Sequence, residues 1–351
     1  MVEERRRRWV VIYAALTASL VLSIAVAVGI GPVAVPTSTV WRIIGYRAFS
    51  IGERGDWSRS QEFIVWNLRL PRVLLGASVG AGLAVTGAVL QALVRNPLAD
   101  PYVFGITSGA SVGASLVLVI GIAAFGSYSL SGAAFIGATV AFALVLALAR
   151  SPDGLLPTRL ILSGVAVSYA MSSLTSLLVF TAANQGDQGA ALSVVFWILG
   201  GLGGARWNQV LIPVIAVACV TAVLSLQARA LNAISIGDES AATLGIDLRT
   251  FRRLLFTACS LLTGLIVAVS GGIGFVGLIV PHAIRIAVGP DHRRLLPLSV
   301  LVGAIFLVWA DVGARVLFAP SELPIGVITA MVGTPVFVIL LRTQGSSGHR
   351  R

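Results

Sequence analysis

At 351 residues, 57% of them hydrophobic and only 11% charged, with a mean hydropathy of +0.94, the chain carries more apolar surface than a soluble fold can bury. All 25 basic side chains are arginine, and they gather at the ends of apolar runs, where lipid headgroups and the positive-inside bias favour them. The net charge of +11 is therefore no nucleic-acid signal, and Cys219 and Cys259, each inside an apolar run, read as small hydrophobes rather than a disulfide or metal site.

In chain order, four arginines at 5–8 precede an apolar run over 9–30. Ala25-Val26-Ala27 near its end imitates a signal-peptide cleavage site, but the run is long enough to span and reads as a retained first helix. The arginines before it stay cytoplasmic. Pro32, Pro36, Gly52 and Gly55 make 31–68 an external loop with a short interfacial helix near 40–49. The second span, 73–94, ends at Arg95-Asn96-Pro97; spans three and four are 102–122 and 133–149, followed by an inside turn at 150–154. The fifth, 159–182, leads to a polar external stretch and a short helix at 197–201 that breaks at glycines. Span six is 209–227. After a charged stretch at 229–253 come span seven (254–270), an external turn Gly271-Gly272-Ile273-Gly274, and the short, Pro-interrupted span eight (275–288). Spans nine (296–312) and ten (325–341) leave a polar tail at 343–351. The expected fold is all-α, a single transmembrane domain of ten spans with both termini cytoplasmic.

This orientation leaves Arg42, Arg47, Arg54, Arg59, Arg69, Arg72, Arg206 and Arg315 outside. They are either statistical exceptions or a positive face that meets an acidic partner. The stretches 76–101 and 262–281, both rich in small residues and ending at a Pro-bearing break, face opposite ways, as in an inverted repeat.

In 229–253, Asp238 is placed to be an N-cap, Glu239 lies in the first turn, and Gly245 sits at C′ of a two-turn helix carrying Ala241, Ala242 and Leu244. Two readings stay open: an amphipathic loop on the bilayer surface, or a knob that docks a soluble partner.

Enzyme constellations are missing. A chain without lysine holds no GxxxxGK[ST] phosphate loop, and His282, His292 and His349 are far apart with no carboxylate at zinc-ligand spacing. Asp311 and Arg315, four apart, suit pairing on one helix face, since a lone carboxylate in an apolar run is expensive. Few further groups exist for a proton relay, which weighs against an ion-coupled secondary carrier; a membrane scaffold without a pathway is a third alternative. Small residues such as Gly80, Gly82, Gly105 and Gly109 suit close helix packing and a wide cavity for a large solute. Asn96-Pro97-Leu98 and Leu156-Pro157-Thr158, Pro-broken turns at the inner ends of spans two and five, are natural places to close such a pathway.

Arg69-Leu70-Pro71-Arg72, Gly87-Ala88-Val89-Leu90-Gln91, Asn96-Pro97-Leu98-Ala99-Asp100-Pro101, the glycine-rich 271–277 with Leu278-Ile279-Val280-Pro281-His282, Asp291-His292-Arg293 and Glu322-Leu323-Pro324-Ile325-Gly326 together resemble the FecCD-type permeases. These are membrane subunits of type II, binding-protein-dependent ABC importers for iron–siderophore chelates, haem and vitamin B12. The likeness runs in order over the core, 69–342. It implies a permease, not an enzyme, in a bacterial cytoplasmic membrane, in contact with lipid. The pathway would lie between two copies, or between close paralogues. Two cytoplasmic ATPase subunits would bind ATP and Mg, this subunit holding no cofactor and no metal, and an external solute-binding protein would deliver a ferric siderophore, with haem or cobalamin as the alternative cargo. Arg69, Arg72 and Arg315 match arginines that meet the binding protein. Asn96, Leu98, Pro157 and Thr158 match the cytoplasmic gate, with Pro157 standing where the vitamin B12 members carry a small polar residue. Gly237, Asp238, Glu239, Ala241, Leu244 and Gly245 match the segment that couples to the ATPase.

Overall fold

The computed structural model describes residues 2–50, 55–121, 126–150 and 156–347, and all regular structure among them is helical. The helices are α1 (Val2–Gly29), α2 (Thr37–Phe49), α3 (Arg59–Val94), α4 (Ile106–Ile120), α5 (Ser129–Ala149), α6 (Pro157–Asn184) and α7 (Gln188–Ile198). They continue with α8 (Trp207–Leu226), α9 (Ala228–Ile236), α10 (Asp238–Thr243), α11 (Leu248–Ser270), α12 (Val276–Val288), α13 (His292–Val316) and α14 (Ile325–Ser347). Seven of them (α1, α3, α5, α6, α8, α11 and α13) are long and apolar enough to cross a bilayer; α4, α12 and the apolar part of α14 are shorter. A helix thus stands at each of the ten positions read from the sequence.

Two boundaries differ. α3 starts at Arg59, inside the supposed external loop, because Ser58 and Gln61 form a reciprocal capping box, Ser58 Oγ accepting from Gln61 N at 3.1 Å and Gln61 Oε1 from Ser58 N at 3.0 Å. Residues Ile64–Arg69 of α3 are π-helical. α14 runs on to Ser347, so residues 343–347 of the expected tail are helical, and 348–351 lie outside the described residues. Gly52, Arg54, Ile122 and most of the turn at 150–154 lie outside the described residues.

α3 is the axis, with 89% of its most apolar window buried. Its small residues make this fit: a Cβ on Gly80 would strike the carbonyl of Gly303 in α13, and one on Gly87 the carbonyl of Gly277 in α12. α13 runs antiparallel to α3, pairing Asp311 with Arg72 at one end and bringing His292 beside Gln91 and Arg95 at the other. The glycines at 271–274 are no free turn. Gly201 N donates to Ser270 O (2.8 Å), Ile273 N donates to Tyr102 Oη (2.5 Å), and Ile325 N donates to Gly200 O (3.0 Å). Irregular backbone inside a bilayer protein needs this internal satisfaction. The chain then extends inward, so that α12 starts beside Gly87 and needs only 13 residues.

Candidate coupling and gating site

The 229–253 stretch folds as α9 and α10, joined at Gly237. Gly237 is extended (φ 166°, ψ 161°) and takes the N-cap place, so Asp238 is the first helical residue and makes no cap bond, a correction to the expected capping role. Its carboxylate turns sideways instead. Oδ1 accepts from Arg95 Nη2 at 2.6 Å and from Arg252 Nη2 at 2.7 Å. Glu239 remains exposed in the first turn. At the other end Gly245 adopts φ +77°, with its N–H on Ala242 O (2.9 Å) and that of Ile246 on Ala241 O (3.2 Å). That is a Schellman C-cap, as the glycine predicts.

Ala241 is fully buried in a small cluster with Ala233 and Ile234, on which Ile246, Leu248 and Phe251 pack. Leu244 and Ile236, in contrast, are 71% and 78% exposed. The knob is held firmly beneath and bare on top.

Arg95 is the αL cap of α3 (φ +54°) and the residue before Asn96-Pro97-Leu98. Asn96 Oδ1 accepts from Leu98 N at 2.9 Å, an Asx turn that leaves Leu98 exposed. Asp100 is buried and caps the turn Pro101–Phe104 by accepting from Tyr102 N at 2.8 Å. That turn packs on α6, where the carbonyl of Val103 meets Gly164. Pro157 opens α6 and Thr158 beside it is exposed. One ion-paired carboxylate therefore connects the knob to the loop read as a gate, and one short turn connects that loop to the helix bearing the second gate segment.

Two more carboxylates brace this end. Asp247 caps α11, accepting from Thr250 N (3.3 Å) and Arg249 N (3.1 Å); hydrogen bonds from the Thr250 side chain and backbone hold its carboxyl below the ordinary range. Asp291 caps α13 and accepts from Asn232 Nδ2 at 2.7 Å. Burial pushes its carboxyl upward, but the Asn232 amide, the Arg293 N–H and the guanidinia of Arg293 and Arg294 together hold it below the ordinary value.

At the opposite end of α3, the three arginines expected to face a partner form one internal network. Arg72 Nε donates to Asp311 Oδ1 (2.8 Å) and its Nη1 to Glu322 Oε2 (2.8 Å). Arg315 pairs with Asp311 Oδ2 (3.1 Å) and donates to Ile30 O (2.7 Å) and Ala27 O (3.2 Å). Arg69 donates to the carbonyls of Gly29 (3.0 Å), Val28 (3.3 Å) and Val33. A helix end leaves its last carbonyls without helical partners, and here two guanidinia supply them for α1. Arg69, Arg72 and Arg315 are all buried, a correction to the picture of side chains offered outward. Only Glu322, 40% exposed at its side chain, opens the network to solvent.

The sequence singles out the 229–253 stretch and the Asn96-Pro97-Leu98 turn, but not the contacts of Arg95 and Arg252 or the place of Arg285. No spacing rule joins Arg95 to Asp238, which lie 143 positions apart. The sequence also sets His282 and His292 apart, whereas both line one cavity with Arg95 and Arg285.

The chain matches the FecCD transport family over residues 18–343. It is 46% identical over 286 residues to the cobalamin import system permease BtuC of Halobacterium salinarum, covering 81% of this chain and 74% of the relative. It is 40% identical over 306 residues to the hemin transport system permease HmuU of Yersinia pestis, covering 85% and 90%. A solved structure described as an inward-facing conformation of a metal-chelate type ABC transporter shares its fold with a TM-score of 0.80 at 32% identity, covering 95% of this chain and 99% of that one.

Proposed function

The chain belongs to the FecCD transport family and is a permease subunit of an ABC importer, and from that premise we propose the following working parts. Ten helices cross the cytoplasmic membrane, with α10 and both termini on the inner side. A separate ATPase subunit receives Leu244 and Ile236 in a surface cleft. When nucleotide draws two ATPases together, α10 moves, and Asp238 carries that movement through Arg95 to the Asn96-Pro97-Leu98 gate. The observation that carries the proposal is the paired contact of Asp238 with Arg95 and Arg252 under an exposed apolar knob.

The pathway lies between two copies, along α6. Only 17% of its most apolar window is buried, and its exposed face sets Tyr169, Ser172, Ser173 and Ser176 among Leu162, Leu177 and Phe180. The exposed middle of α8, in contrast, is apolar, with Leu211, Ile212, Val214, Ile215 and Val223 suited to lipid. A solute-binding protein docks at the Arg72 end, its carboxylates displacing Glu322 from Arg72.

The cargo is a bulky metal chelate. Relatives named for cobalamin and hemin favour a macrocycle, cobalamin first; a ferric siderophore is the second reading, favoured by the metal-chelate type transporter of the same fold. Uptake of cobalamin, haemin and a ferric siderophore by the reconstituted complex decides among them, and ATP-independent uptake by this chain alone would overturn the importer reading. Leu244→Asp is expected to abolish recovery of the ATPase with the tagged permease while the permease still inserts; full recovery removes the knob from the mechanism.

A further inference from the structure

A cavity of about 370 Å³ opens between the ends of α3, α12 and α13, next to the Asn96-Pro97 turn and below α9. Its polar wall includes Gln91, Arg95, Asn96, His282, Arg285 and His292, with Ser235 of α9 opposite. Two features of that wall are unsatisfied by the chain itself.

The first is a surplus of positive charge. Arg285 is half-buried, and no carboxylate among the described residues stands within ion-pair distance of it. Arg95 adds a second guanidinium, with Nη2 on Asp238. Asp291, close to the mouth, is committed elsewhere, to Asn232 Nδ2 and Arg293 N. Taking a cation out of water without a partner is unfavourable, so an anion at this place gains what the fold has left open.

The second is an acceptor without a donor. Gln91 is 3% exposed, and its Nε2 donates to Gly277 O (3.3 Å) and Leu278 O (3.2 Å). Those two carbonyls fix which way the amide faces, leaving Oε1 buried with no hydrogen-bond donor. A bare carboxylate would satisfy the guanidinia and leave Oε1 unmet. A ligand that satisfies both needs an anionic group and a hydrogen-bond donor a few ångströms away.

Phosphate chemistry meets both demands. Guanidinium pairs with phosphate oxygens in a planar, two-pronged geometry, and a P–OH, a hydroxyl or an ammonium supplies the donor. The volume fits a headgroup, and Ile286, on the rim and 62% exposed, offers apolar surface for an adjoining acyl chain. We propose that this cavity is a binding site for a phosphate-bearing ligand with a further hydrogen-bond donor, its phosphate held by Arg285 and Arg95 and its donor by Gln91 Oε1. A phospholipid headgroup and free phosphate share this chemistry. Because Arg95 also holds Asp238, an occupied site competes with the knob for one guanidinium. The site itself stands independently of the cargo and of the importer reading.

The test uses the purified, delipidated full chain in detergent. Native mass spectrometry compares phosphatidylethanolamine, phosphatidylglycerol and phosphatidylcholine of equal acyl length; phosphatidylcholine has the phosphate and no donor. Thermal unfolding compares inorganic phosphate with chloride at matched ionic strength. We expect the first two lipids to bind at least tenfold more tightly than phosphatidylcholine, and Arg285→Gln to remove that preference without lowering the unliganded unfolding midpoint. Arg285→Lys should restore part of it. Stabilisation by inorganic phosphate that Arg285→Gln abolishes, with no lipid preference, assigns the same site to free phosphate. Equal binding of the three lipids together with no phosphate effect overturns the proposal, as does wild-type binding by Arg285→Gln. If that variant fails to fold, Gln91→Met decides: it must collapse the phosphatidylethanolamine-to-phosphatidylcholine ratio, and an unchanged ratio is equally fatal.

Discussion

Asp311 is 1% exposed and shared between two arginines from different helices, Arg72 at 2.8 Å and Arg315 at 3.1 Å. Removing it leaves two guanidinia buried against each other, so Asp311→Ala should cost about 3–5 kcal/mol, the range for an orphaned buried charge. Thermal unfolding in detergent would show a large drop in midpoint, whereas Glu322→Gln, at the exposed edge, should change it little. Replacing Arg69 and Arg315 with glutamate would set carboxylates against the carbonyl end of α1, and replacing Arg72 would set one against Asp311 and Glu322, so the triple change would break the fold before it tested any docking. Asp247 and Asp291, with carboxyls held low, give the opposite end an acid sensitivity. Their contribution is fully present above the unfolded carboxylate value of about 4 and is lost as pH falls through the lower folded values. Asp247→Asn with Asp291→Asn should flatten the decline of the unfolding midpoint below about pH 4; an unchanged slope would assign the acid response to other carboxylates.

At the scale of single helices, the informative unit is α10. A six-residue helix has almost no stability of its own, so its position depends on Ala241 beneath and Asp238 at the side. Asp238→Asn keeps the shape and removes the charge that holds two arginines. We expect the ATPase still to co-purify, while transport per ATP hydrolysed falls severalfold; unchanged stoichiometry would mean that the linkage runs elsewhere. Helix positions were legible in the sequence because apolar runs of span length leave few alternatives, and Gly245 announced its own C-cap. The start of α3 was not, since charged residues within 59–72 mask the apolar pattern, although Ser58 and Gln61 carried the signal. The same holds for the site. Leu244 could be read as bare from a charged stretch between spans, but the cavity of Gln91 and Arg285 needs α3, α12 and α13 side by side, and no local pattern encodes that meeting.

For the whole molecule, the exposed serines of α6 bear on assembly. With Cys219 and Cys259 replaced by alanine, Ser172→Cys should form an oxidation-dependent dimer in membranes, seen as a band of doubled mass. A matching cysteine on the apolar face of α8, Ile215→Cys, should not, and the reverse result would move the pathway to the other side of the bundle. The three buried arginines at the far end of α3 have a further consequence, in time rather than space. The closing carbonyls of α1 receive their donors from Arg69, some 40 positions later, and from Arg315, 285 and 288 positions later. The carbonyls of Val28 and Gly29 can therefore be met early in synthesis, whereas those of Ala27 and Ile30 gain their guanidinium only once residue 315 has been made. A chain truncated before α13 is accordingly expected to leave the segment 27–30 more open to limited proteolysis than the full chain does.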